Sequence, residues 1–158
     1  TMEPRASRPS NRLAAMKELN DAGVPTGVLA APIIPAINDN ELEAILEASA
    51  GSGACQADYI MLRLPFEVKE LFQNWLQVHF PDRTNRVLSL IRQSRGGKLN
   101  TAKFGSRMRG TGPYAEMLNK RYKLACRRLG LNQRNEKWDF DCSHFQLPLQ
   151  AGDQMQLI

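Results

Sequence analysis

The sequence predicts an α/β fold with parallel strands, on three observations. First, the five small or apolar residues Gly27–Ala31 read as a strand buried on both faces. Two prolines, Pro32 and Pro35, break that strand, and Asn38 and Asp39 then open a helix with Glu41 placed to complete a capping box. Second, another apolar run follows that helix, so the order is helix, strand, helix, strand with short connections; this favours parallel pairing through crossovers. Third, every periodic segment beyond Pro65 is helical. Two strands do not make a stable sheet alone, so this pair needs neighbours that the chain does not obviously supply.

Each element has a local reason. Pro9 and Ser10 introduce a helix over 11–22, with Leu13, Met16 and Leu19 inward and Gly23 as its stop. The strand over 26–31 follows. A second helix over 39–50 places Leu42, Ile45 and Leu46 inward, and Gly51-Ser52-Gly53 closes it. A strand over 58–64 ends at Pro65. Val68, Leu71, Phe72, Trp75 and Leu76 fit the i, i+3, i+4, i+7, i+8 positions of an amphipathic helix, which marks the Phe72/Trp75 stripe as core. Pro81 ends it. A shorter helix carries Val87, Leu88 and Ile91 inside. After a glycine-rich basic loop, 94–112, Pro113 restarts a helix at its first turn, and Gly130 terminates it after Leu129. The segment 132–158 has little periodicity and reads as an extended tail anchored by Trp138, Phe140 and Phe145. The organisation is thus 1–66 in the α/β part, 67–131 as a basic helical extension and 132–158 as tail.

Composition narrows the function classes. A chain of 158 residues can bury a real core as one domain. A formal charge of +5 favours an anionic partner. Three widely spaced cysteines, Cys55, Cys126 and Cys142, argue against a disulfide scaffold or a zinc ribbon. His79 and His144 are lone histidines, with only Cys142 near the latter as a weak companion ligand. No apolar run is long enough to span a bilayer, and no signal peptide is visible, so the expected compartment is cytoplasmic and no membrane partner is expected.

The sharpest chemical feature is a window without acids. From Arg83 to Ala115 the chain has no Asp or Glu and eight basic residues. Glycines interleave with the last five of these (Arg95, Lys98, Lys103, Arg107 and Arg109), and Phe104 adds an aromatic. Glycine lets backbone amides approach an anion, and arginine offers planar paired donors to phosphate. A solvated basic surface would look the same on charge alone; the length of the acid-free window balances that reading against a polyanion site, with nucleic acid the foremost candidate. The expected contacts are Arg92, Arg95, Lys98, Lys103, Arg107 and Arg109, made to the phosphate backbone rather than to base edges.

A family resemblance runs along nearly the whole chain. Glu3-Pro4-Arg5, Arg12-Leu13, Ala22-Gly23-Val24-Pro25 and Ala31-Pro32-Ile33-Ile34-Pro35 with Asn38-Asp39 carry it. So do Leu62-Arg63-Leu64-Pro65, Leu90-Ile91-Arg92-Gln93 with Arg95-Gly96-Gly97, the stretch Phe104–Gly110, and Gly152-Asp153-Gln154. In order and spacing these pieces resemble the second half of radical S-adenosylmethionine (SAM) proteins of the spore photoproduct lyase-like, "DNA repair photolyase" group. The resemblance implies the last two β/α units of a partial (β/α)6 barrel followed by a mainly helical extension. It also implies a parent enzyme in which a [4Fe–4S] cluster on a Cys-x3-Cys-x2-Cys loop cleaves SAM to a 5′-deoxyadenosyl radical. That loop is not in this sequence, so the chain alone is expected to hold neither cluster nor SAM, and an N-terminal barrel half is the expected partner. The rival is a non-catalytic nucleic-acid-binding module built on the basic window.

On this resemblance Glu3, Arg5, Arg12, Asn38 and Arg63 become candidate SAM-binding residues. Arg12 could pair with the SAM carboxylate through two parallel hydrogen bonds. Asn38 shapes the loop after the first strand, where capping the helix is its simplest role. Arg63, near the end of the second strand, needs an anionic partner if buried, either a carboxylate of the fold or the substrate. No catalytic residue is assigned. Lastly, Gln154-Met155-Gln156-Leu157-Ile158 resembles the peptide by which bacterial repair and replication proteins dock on the sliding clamp, with Gln154, Leu157 and Ile158 as its anchors.

Overall fold

The computed structural model describes residues 5–133. The chain folds as α1 (Pro9–Asp21), β1 (Thr26–Ile33), α2 (Leu42–Gly51), β2 (Ala54–Met61), α3 (Val68–His79), α4 (Thr84–Ser94) and α5 (Pro113–Leu129). Short 3-10 turns at Asp39–Glu41 and Pro81–Arg83 precede α2 and α4. The two strands pair in parallel, Leu29 opposite Asp58 and Ile33 opposite Met61. The fold is therefore a small α/β unit of five helices around a two-stranded parallel sheet among the described residues, with no barrel in it.

Two apolar cores form on this frame. One lies between the sheet, α2 and α5 and gathers Ala30, Ile33, Leu42, Leu46, Tyr59, Met61, Leu118 and Tyr122. The other packs α3 and α4 against the residues leaving the strands, through Ile34, Leu62, Leu64, Phe72, Leu76, Val87 and Ile91. The Phe72/Trp75 stripe is core, as its spacing predicts; Trp75 stacks on Phe72 at 5.9 Å between ring centroids. Polar bonds tie α5 to α2: Arg121 donates twice to Glu43 at 2.7 and 2.6 Å, and the Tyr114 hydroxyl donates to Asp39 Oδ2 at 2.7 Å. The Pro113 start and Gly130 stop of α5 are as the sequence predicts, with Gly130 in the left-handed conformation (φ 70°) that ends a helix without a Cβ clash.

Three expectations need correction. β1 is buried on one face only: Gly27, Leu29 and Ala31 are exposed, Leu29 by 55 %. Its alternate residues reach the core, but among the described residues nothing covers the other face. β2 begins at Ala54, four residues earlier than expected, and ends at Met61; Leu62–Leu64 leave the strand for the second core. Finally, Asn38, Asp39 and Glu41 form no capping box, because no side chain caps the turn or α2. Asn38 instead turns into its own loop, accepting from Ile34 N at 2.7 Å and donating to Pro32 O at 3.0 Å.

No helix among the described residues is long and apolar enough to cross a membrane. α1 is the least integrated element. It buries no residue, and Leu19 on its expected inner face is 48 % exposed.

Candidate functional site

The two edges of the sheet differ. On the outer edge of β2, the Asn132 side chain mimics a neighbouring strand: its Oδ1 accepts from Ala57 N at 2.8 Å and its Nδ2 donates to Ala57 O at 3.0 Å. Asn132 N donates to Cys55 O, Tyr59 N to the Asp58 carboxylate, and Met61 N to Met108 O at 2.9 Å. The outward-facing Cys55 O, Ala57 N and O, Tyr59 N and Met61 N are thus satisfied. β1, by contrast, pairs with β2 alone among the described residues. One edge is closed by side chains and a loop; the other presents unpaired backbone next to a bare apolar face.

The closing loop, residues 95–112, is held by Arg95. This residue is only 4 % exposed. Its guanidinium donates to Met61 O (3.3 Å) and Leu62 O (3.0 Å) at the carboxyl end of β2, and to Ser106 O (3.2 Å) and Arg107 O (2.7 Å) in the loop. Carbonyl dipoles thus stand where a carboxylate would ordinarily balance a buried charge. Burial lowers its pKa from the ordinary arginine value, and the neighbouring charge of Arg63 adds to the effect. Gly110 sits where the loop passes closest to α4. A Cβ there would lie 3.0 Å from Ser94 O, and its φ of 76° also favours glycine.

Arg109 is likewise turned inward. It pairs with Asp58 and lies over the rings of Tyr59 (4.0 Å) and Tyr122 (4.9 Å). The basic window therefore divides. The guanidinium of Arg95 is bonded to four carbonyls, while that of Arg109 is drawn to Asp58 and two aromatic rings, with its Nη1 buried and without a hydrogen-bond partner. Arg92, Lys98 and Lys103 are exposed and Arg107 half-buried. Phe104, at the outer turn of the loop, is 86 % exposed, with the Arg107 guanidinium 5.4 Å from its ring centroid.

The candidate SAM residues do not converge on one cavity. A groove of about 670 Å³ runs between α1, β1 and α2, lined by Leu13, Met16, Val28, Ala30 and Ile45, with Arg12 and Glu41 also on its wall. Neither Asn38 nor Arg63 lines it. Arg63 follows β2 into the connection to α3, and its Nε is buried without a hydrogen-bond partner. No carboxylate among the described residues pairs with it. Arg5 is exposed in a turn before α1. Glu3, Gln154, Leu157 and Ile158, with Cys142 and His144, lie outside the described residues. Among the described residues Cys55 and Cys126 are free and no three His, Cys, Asp or Glu side chains gather, so these residues do not by themselves form the ligand set an iron–sulfur cluster needs.

Sequence reasoning passed over Tyr59, Tyr122, Asp58 and Asn132. Only Asn132 carried an available signal, since an asparagine just past a helix-ending glycine favours a positive φ, here 59°. Comparisons with protein-family models, with curated proteins and with solved structures return no match for this chain.

Proposed function

We propose that this chain is the trailing portion of a radical SAM-type barrel and supplies its last two strands and a closing basic loop to an enzyme acting on an anionic substrate. The observation that carries the reading is the asymmetry of the sheet edges. A last strand has no successor, and the outer edge of β2 is filled by Asn132, Asp58 and the 95–112 loop. A strand with a predecessor needs an available edge, and β1 has one, beside an apolar face that preceding strands would cover. α1 fits the same scheme, because a crossover helix from a preceding strand would share its burial with that strand.

In such a barrel, ligands lie at the carboxyl ends of the strands. Arg63 stands there with a donor unused, and an anionic group of the substrate is the partner we assign to it. The SAM-cleaving chemistry would come from a cluster held on another segment, and no residue described here is given a part in that step.

The test is anaerobic reconstitution of the chain alone and of the chain joined to its upstream coding region, reading cluster absorbance and SAM cleavage. The joined protein should take up a [4Fe–4S] cluster and cleave SAM, while the chain alone does neither. A cluster on the chain alone, or an upstream region without Cys-x3-Cys-x2-Cys, refutes the proposal.

A further inference from the structure

The outward half of the basic loop has a geometry that the barrel reading does not use. Phe104 is 86 % exposed, although burying such a ring is ordinarily favourable. A single exposed phenylalanine is unremarkable in itself. This one differs in its support. The backbone directly after it is pinned, since Ser106 O and Arg107 O both accept from the buried Arg95 guanidinium, and Arg107 N and Gly110 N close turns onto Lys103 O (2.9 Å) and Ser106 O (2.7 Å). The ring is thus presented on a fixed frame rather than on a floppy tip. Lys103 precedes it, Gly105 follows it with open space where a side chain would stand, and Arg107 places its guanidinium over the ring.

We propose that Phe104 and Arg107 form a stacking platform for an unpaired base of single-stranded nucleic acid, with Lys103 and Lys98 contacting its phosphates. An aromatic face accepts any base, and a guanidinium beside it favours the same π surface. Charge supports this partner over a peptide or an apolar ligand: no acid occurs from Arg83 to Ala115, and Asp58, the carboxylate that reaches the loop, is paired with Arg109. A duplex fits less well. Its bases are already stacked, and an exposed ring reaches none of them without unpairing. The inference stands on the loop alone and does not depend on the barrel reading.

The experiment uses the full chain, without SAM or cluster, so its failure is separable from failure of the proposed function. Fluorescence anisotropy is followed with a labelled single strand of about fifteen nucleotides, its duplex, and an abasic strand of the same length, over a range of salt. The single strand should bind more tightly than the other two. Phe104→Ala should weaken it about tenfold with an unchanged salt slope, the loss of one stacked base. Phe104→Trp should retain binding. Lys103→Ala should reduce the magnitude of the salt slope by about 0.7, one phosphate contact. Thermal unfolding of each variant should match the parent, because both side chains are exposed. Equal binding of Phe104→Ala and parent to the single strand, an equal loss on the abasic strand, or no binding by the parent overturns the proposal.

Discussion

Replacing Arg95 by alanine is expected to be among the most damaging single changes in this chain, although sequence alone would class it as one more arginine of a surface loop. Four carbonyls lose their donor. Those of Met61 and Leu62 lie in buried hydrogen bonds, and a bond from a charged donor there contributes about 1.5–3 kcal/mol, so the pair is worth roughly 3–6 kcal/mol. Ser106 O keeps a second partner in Gly110 N, and Arg107 O lies nearer to solvent, so these two add little. Relief from holding a desolvated charge works in the opposite direction. The net loss should be about 3–4 kcal/mol, measured as the fall in unfolding free energy in urea. Amide exchange adds a local signature, because Met61 N, bonded to Met108 O of the loop, should lose protection before the β1–β2 ladder does. Arg95→Lys keeps the charge but cannot spread donors over two strand-end and two loop carbonyls, so it should recover less than half. A loss below about 1 kcal/mol for Arg95→Ala, with Met61 N still protected, refutes the reasoning.

Other outcomes follow from the same geometry. Asn132→Ala should cost about 3 kcal/mol through the lost bonds to Ala57 and the strain of alanine at φ 59°; Asn132→Gly, free of that strain, should cost about 1 kcal/mol less, and a loss below about 1 kcal/mol for both in urea unfolding would count against the strand-mimic role. The Tyr122 phenol is pushed up to about 12, chiefly by burial, so between pH 10 and 12 the unfolded chain releases a proton that the folded chain keeps, and stability should fall as pH rises through that window. Tyr122→Phe should flatten this fall, read from urea midpoints alongside tyrosinate absorbance. Docking on the sliding clamp through Gln154, Leu157 and Ile158 predicts that deleting residues 154–158 abolishes clamp pull-down while leaving thermal unfolding unchanged; undiminished pull-down rejects it.

What could be read from the sequence follows where local chemistry decides. Helices α3, α4 and α5 were legible because their apolar periodicity is strong and prolines or glycine punctuate them. β1 and its parallel partner were legible as apolar runs, although β1 continues through Pro32 to Ile33 instead of breaking at that proline. The start of β2 was not, because Ala54-Cys55-Gln56-Ala57 is too small and polar to signal a strand; Asn132, across a gap in sequence, supplies the pairing that holds it. Capping failed for a related reason. Asn38 can serve the helix or the loop, and only the fold brings Pro32 O within 3.0 Å of it. In the basic window, the sequence shows how many cations there are but not which way they point. Arg95 and Arg107 look alike on paper, and their difference rests on carbonyls that β2 places 33 and 34 residues away along the chain from Arg95.

The unequal sides of the sheet also set a limit on self-association. A strand rim open on one side and stoppered on the other cannot build a fibre by adding copies head to tail, since each addition would need a receptive rim on both sides of every copy. Among the described residues, two copies meeting β1 to β1 would use up the open backbone, so growth by strand pairing would halt at a dimer. Unplugging the second rim, as Asn132→Ala begins to do, removes that stop and opens the way to stacked, insoluble assemblies.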